Sequence, residues 1–147
     1  MQIKHILLTM IIGIGSLFAY NSDSKAYRGD LDAKHAYEMM QESSNIIFID
    51  VRTKKEFNDH HAKNAISIPI FMEKNGKRAL NPNFVQEVKK ATNNQLNQKV
   101  ILICRSGSRS KYAANLLAQN GFSNVYNILN GTDAPDGWSD SNLPIEK

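Results

Sequence analysis

One short stretch concentrates the residues that can do chemistry. Residues 104–110 read Cys-Arg-Ser-Gly-Ser-Arg-Ser, and Cys104 is the one cysteine in a chain of 147 residues. A single thiol forms no intrachain disulfide and cannot supply the two or more thiolates of the usual cysteine metal sites. The stretch lies between an apolar run and a segment with helical spacing. A turn of small residues placed there aims backbone N–H groups inward and makes an anion-binding nest. Gly107 admits the left-handed angles such a turn needs. The helix start adds its positive dipole end. Amides, helix start, Arg105 and Arg109 all favour thiolate over thiol, so Cys104 reads as a nucleophile. Arg105, Ser106, Gly107, Ser108 and Arg109 read as the loop that holds a small anion beside it, with Ser110 in support. The Arg109 fork can bond loop carbonyls and face the anion, whereas Arg105 projects toward solvent at the mouth.

The elements that must position this loop follow from pattern. Asp32 can cap a helix over 33–41. Residues 46–50 (IIFID) and 99–104 (KVILIC) are short apolar runs rich in β-branched side chains, as in strands buried on both faces. Residues 54–59 form one or two helical turns, and 65–69 a short strand ending at Pro69. Residues 73–81 read as a loop. Pro82 starts a helix through Phe84, Val85, Val88 and Ala91. A helix over 110–120 ends at Gly121, and 125–129 is a further strand. Strands alternating with helices predict an α/β domain, a small parallel sheet flanked by helices on both faces. In such sheets ligands bind beyond the carboxyl ends of the strands, where residues 104–110 lie.

Composition narrows the class. Hydrophobic residues are 41% and charged residues 22%, which fits a globular domain and excludes a disordered chain or a multi-span membrane protein. The net charge is +4, with basic residues scattered, so no nucleic-acid partner is expected. Residues 1–26 read as an export signal: Lys4 gives a positive start, 6–18 carry no charge, and Ser24-Lys25-Ala26 offers small side chains for cleavage. Thirteen helical residues reach only about 20 Å, short of a membrane core, so no stable membrane insertion is expected after cleavage. Cleavage falls after Ala26, or alternatively after Ala19, leaving 27–147 as one periplasmic domain.

Other candidates are weaker. Asp50 and Arg52 either shape the mouth of the site or form a strand-end ion pair. His60 and His61 are adjacent and on a strand would face opposite sides, so no metal site is expected. His35 reads as a surface residue, and Trp138 as packing over the sheet edge.

The cysteine loop resembles that of the single-domain rhodanese family, Cys-x-x-Gly-x-Arg followed by Ser or Thr. Asp50-Val51-Arg52 is similar to the family's Asp-Val-Arg. Glu56-Phe57 with His61, Ala65 and Ile68-Pro69 is similar to its Glu-Phe…His…Ala…Ile-Pro stretch. Gly131, Trp138 and Leu143-Pro144-Ile145 resemble its closing segment. His60, Ala62, Asn64, Ser67 and Asn130 depart from the pattern, and Trp138 lies about two residues late. The resemblance implies a rhodanese fold with a five-stranded parallel sheet. It also implies transfer of sulfane sulfur from thiosulfate, or another small anionic donor, through a Cys104 persulfide. The acceptor would be a thiol, a protein, or cyanide in the test tube, with no cofactor. Alternatives are a periplasmic persulfide carrier or sensor with little small-molecule turnover, and a cysteine phosphatase or arsenate reductase. Loop length disfavours the last, because phosphatases of this type place one more residue between cysteine and arginine.

Overall fold

The computed structural model describes residues 27–147. The expected signal segment and its two cleavage sites lie outside the described residues. Five strands form one all-parallel sheet in the order β1 (Gly29–Leu31), β8 (Val125–Ile128), β7 (Lys99–Ile103), β2 (Ile46–Asp50), β4 (Ile66–Ser67). The helices are α1 (Ala33–Glu42), α2 (Lys54–Asp59), α3 (Phe84–Ala91) and α4 (Ser108–Gln119). A hairpin, β5 (Phe71–Lys74) and β6 (Lys77–Leu80), forms its own two-stranded sheet. A short antiparallel pair, β3 (His61–Ala62) and β9 (Ile145–Glu146), ties the chain end to the segment after α2.

The sheet is covered on both faces, which explains the unbroken apolar runs of β2 and β7. Ile49, Val100 and Leu102 pack with Phe84 and Val88 of α3 and Ala113, Ala114 and Leu117 of α4. Phe48, Ile101 and Ile103 point the other way, toward Ala33 and Ala36 of α1 and Trp138. Cys104 continues the alternation of β7 and belongs to the α3–α4 layer.

Several boundaries differ from the sequence reading. The 73–81 segment is not a loop but most of the β5–β6 hairpin, turning at Asn75 and Gly76 with φ of 53° and 71°. Helix α3 begins at Phe84, one residue after the backbone cap at Asn83, and not at Pro82. Helix α4 begins at Ser108, not Ser110, so Ser108 and Arg109 form its first turn. Trp138 does not sit at the sheet edge: it is buried on the face, 5.3 Å from the Phe48 ring and edge-on to Tyr37.

Candidate active site

Cys104 follows the last residue of β7 at the carboxyl end of the sheet, with its side chain fully buried. Gly107 turns the chain into α4 with φ +97°. The Gly107 N–H donates to Cys104 Sγ at 3.1 Å, and the Ser110 hydroxyl lies 3.3 Å from the same sulfur. That hydroxyl is also 3.1 Å from the Gly107 carbonyl, so its one proton serves either acceptor in turn. Two donors and a helix N-terminus therefore converge on one sulfur, an arrangement suited to holding negative charge there. Arg105, Ser106 and Ser108 are exposed.

Arg109 is placed differently from expectation. Its fork does not bond loop carbonyls but grips Glu56 of α2, with Nη1 to Oε2 at 2.8 Å and Nη2 to Oε1 at 2.7 Å. A rigid planar fork matches a carboxylate better than scattered carbonyls do. The guanidinium charge still acts on Cys104 and Asp50. Glu56 is held by its own helix too: Thr53 caps α2, and Glu56 accepts the Thr53 backbone N–H at 3.0 Å and its hydroxyl at 2.8 Å. The cap fixes Glu56, and Glu56 fixes Arg109 over the loop.

The Arg109 bonds, helped by those from Thr53, pull the Glu56 carboxyl from 4.5 down to about 2. A carboxylate with a lowered folded-state value stabilises the fold above its unfolded value, and that contribution fades as pH falls through the folded one. Glu56→Gln should therefore lower stability by a constant amount from neutral pH down to about 5. The gap to the native chain should close between about 4.5 and 2. Urea midpoints of both proteins across this range provide the check; a gap unchanged at the acid end would contradict the pairing.

The loop is braced from behind by residues 130–133. The Cys104 carbonyl accepts the Thr132 N–H at 2.8 Å and its hydroxyl at 3.2 Å, and the Arg105 carbonyl accepts the Asp133 N–H at 3.1 Å. Asp50 and Arg52 form a buried ion pair, with Nη2 to Oδ2 at 2.8 Å and Nε 3.1 and 3.0 Å from the two oxygens. Arg52 also donates to the His60 carbonyl at 2.6 Å and faces Asp133 at 3.7 Å. His60 Nε2 meets Asp133 at 2.7 Å, and Asp133, then Asp59, raise the His60 pKa. Asp50 and Arg52 thus act on the brace behind the loop, the ion-pair alternative of the two. His61 stacks on Phe57 and its Nδ1 lies 2.9 Å from the Phe57 carbonyl. His35 is exposed beside the Asp32 it helps satisfy.

Sequence reasoning did not single out Thr53, Glu56, Thr132 or Asp133 as site residues. The Thr-x-x-Glu spacing of a capping box was the available signal for the first two. The other two are visible only once β8 delivers its following turn to the back of β7.

The rhodanese-like domain family model matches residues 32–135, and the chain belongs to that family. A relative in Rickettsia prowazekii, an uncharacterised protein, is 34% identical over 116 residues, covering 74% of this chain and 89% of its own. Thiosulfate sulfurtransferase 16, chloroplastic, of Arabidopsis thaliana is 34% identical over 99 residues, covering 67% of this chain and 78% of its own. The crystal structure of Rv0390 from M. tuberculosis superposes with a TM-score of 0.68 at 24% identity, covering 82% of this chain and 98% of the other. The family includes sulfurtransferases.

Proposed function

We propose that this protein is a sulfurtransferase that carries sulfane sulfur as a Cys104 persulfide. The observation that carries the reading is the convergence of the Gly107 N–H and the Ser110 hydroxyl, at the start of α4, on the chain's one thiol. The Cys104 thiolate attacks the outer sulfur of thiosulfate. The sulfur–sulfur bond of the donor breaks, sulfite leaves with the electron pair, and a Cys104 persulfide anion remains. The donors around the sulfur stabilise that anion without reorganisation. An acceptor then takes the outer sulfur in a second covalent step, so ping-pong kinetics are expected. The test is the intact mass of the domain after thiosulfate and removal of excess donor: one added sulfur atom, lost on adding cyanide, is expected. An unchanged mass would refute the persulfide.

A persulfide carrier with slow small-molecule turnover is the second reading, favoured by one observation. The Arg109 fork is committed to Glu56, whereas Arg105 is exposed and forms no ion pair among the described residues. Steady-state sulfite release against single-turnover persulfide formation separates the two. In either case Arg105→Ala should raise the apparent KM for thiosulfate with little change in kcat, and salt should mask part of the loss. Identical saturation curves for the variant and the native protein would remove Arg105 from donor capture.

We further propose that the protein is exported to the periplasm. The support is the short apolar 6–18 segment and the small residues up to Ala26. Sequencing the amino terminus of protein from its source cell should read from Tyr27, or from Tyr20. Intact protein recovered mainly from the cytosol would refute export.

A further inference from the structure

The carboxyl edge of the sheet carries a second surface beside the cysteine loop. β2 alone separates β7 from the edge strand β4. At about 4.8 Å per strand step, the segments leaving β4 and β7 emerge roughly 10 Å apart. The segment leaving β4 is the β5–β6 hairpin. At its base Phe71 stacks on Tyr112 of α4, with ring centroids 5.7 Å apart, and the Arg78 guanidinium lies 5.8 Å from the Phe71 centroid. Phe71 pairs across the hairpin with Leu80. A groove of about 470 Å³ runs between the hairpin and α2, with Thr53, Lys54, Lys55, Pro69, Phe71 and Met72 in its walls. Thr53 caps the helix whose Glu56 holds Arg109, so groove and cysteine loop share one supporting helix.

Two properties of this surface define what fits it. It carries apolar side chains on both sides of the hairpin: Met72, 48% exposed, on the one, and Leu80 and Tyr112, 44% and 47% exposed, beside the half-buried Phe71 on the other. Exposed apolar side chains rimmed by charge are a feature of surfaces that meet a partner. The rim is basic. Lys54, Lys55, Lys74, Lys77, Arg78 and Lys111 are exposed, Arg105 extends the same sign to the mouth, and none of them forms an ion pair among the described residues. The neighbouring carboxylates on the hairpin and groove are Glu73 and Glu87, too few to balance that charge.

We propose that this surface docks an acidic protein that presents a thiol to Cys104 as the sulfur acceptor. The proposal rests on the persulfide reading above. In the transfer the acceptor thiolate attacks the outer sulfur of the Cys104 persulfide. The persulfide bond breaks, Cys104 recovers the electron pair as a thiolate, and the acceptor leaves as a persulfide. No oxidant or reductant is needed. The apolar side chains complement an aliphatic or aromatic side chain near the thiol, and the basic rim steers the acidic partner to them.

The probe is a short synthetic peptide with one cysteine among aspartate, glutamate and leucine, compared with a counterpart carrying lysine in place of each acid. Enzyme loaded with thiosulfate and freed of donor should pass sulfur to the acidic peptide roughly tenfold faster at low salt, the scale of electrostatic steering. Lys74→Glu with Lys77→Glu should abolish that preference. Lys63→Glu with Lys90→Glu, the same change of charge elsewhere, should keep it. Met72→Ser should slow the acidic peptide but not 2-mercaptoethanol. Equal effects of the two charge-reversed pairs would reduce the result to the field of the whole molecule and overturn docking here. So would a single-stranded oligonucleotide that competes as well as the acidic peptide. Loading without any preference would overturn the docking proposal alone. Failure of the native protein to load at all would overturn the persulfide reading and this proposal with it.

Discussion

Cys104→Ser is expected to abolish sulfite release from thiosulfate while leaving a folded domain. The sequence has no other thiol to carry the sulfur. A serine hydroxyl accepts the same Gly107 N–H and Ser110 hydroxyl that now reach the sulfur. The polar turn is therefore still satisfied, and the stability change should be about 1 kcal/mol or less. Thiosulfate:cyanide assays on the purified variant, with circular dichroism on the same sample, decide the matter. Activity above background in a folded variant would place the sulfur-carrying group elsewhere.

The second large effect is expected from a purely steric change, at Gly131. Its φ is +56°, and a Cβ there would lie 2.3 Å from the Cys104 carbonyl oxygen and 2.5 Å from the Arg105 carbonyl carbon. Both are backbone atoms of the cysteine turn, so neither can swing aside as a side chain would. Left-handed backbone alone costs an alanine about 1 kcal/mol, and overpacking adds about 1–3 kcal/mol. Gly131→Ala should therefore destabilise the domain by about 3 kcal/mol and slow persulfide formation in whatever fraction remains folded. Gly29→Ala is the control: nothing lies within 4 Å of a Cβ there, and the change should stay within about 0.5 kcal/mol. Equal urea midpoints for the two variants would show that residues 130–133 do not brace the cysteine turn.

These cases show which parts of the molecule are legible in sequence. The strands β2 and β7 are readable because both faces are buried, which forces continuous apolar runs such as Ile46-Ile47-Phe48-Ile49. The cap at Asp32 and the turn at Gly107 are readable because each rests on a local rule of backbone chemistry. The β5–β6 hairpin is harder: Asn75-Gly76 is a turn signal, but the strands Phe71–Lys74 and Lys77–Leu80 are mostly exposed and charged, so no apolar alternation marks them. β1 spans three half-buried residues and exists because β8 pairs with it. The partner of Arg109 could not be read locally. Its loop position suggested a bond to nearby carbonyls, whereas Glu56 lies 53 residues earlier and reaches it only through the packing of α2. The same holds for Asp133 beside Arg52 and His60.

The pairing of β1 with β8 has a kinetic consequence. Gly29 sits beside Tyr126 and Leu31 beside Ile128, so the first strand of the domain waits for nearly the last. Closing so long a stretch of chain carries an entropic cost before any contact repays it, which places this pairing late in folding. The inner strands β2 and β7 can pair while β1 is still free, but the sheet is incomplete until β8 arrives. Weakening the β1–β8 contact should then leave the folding rate nearly unchanged and speed unfolding, the behaviour of an interaction formed after the transition state. During synthesis the sheet therefore stays incomplete until the final fifth of the domain begins to emerge, because β8 opens that stretch.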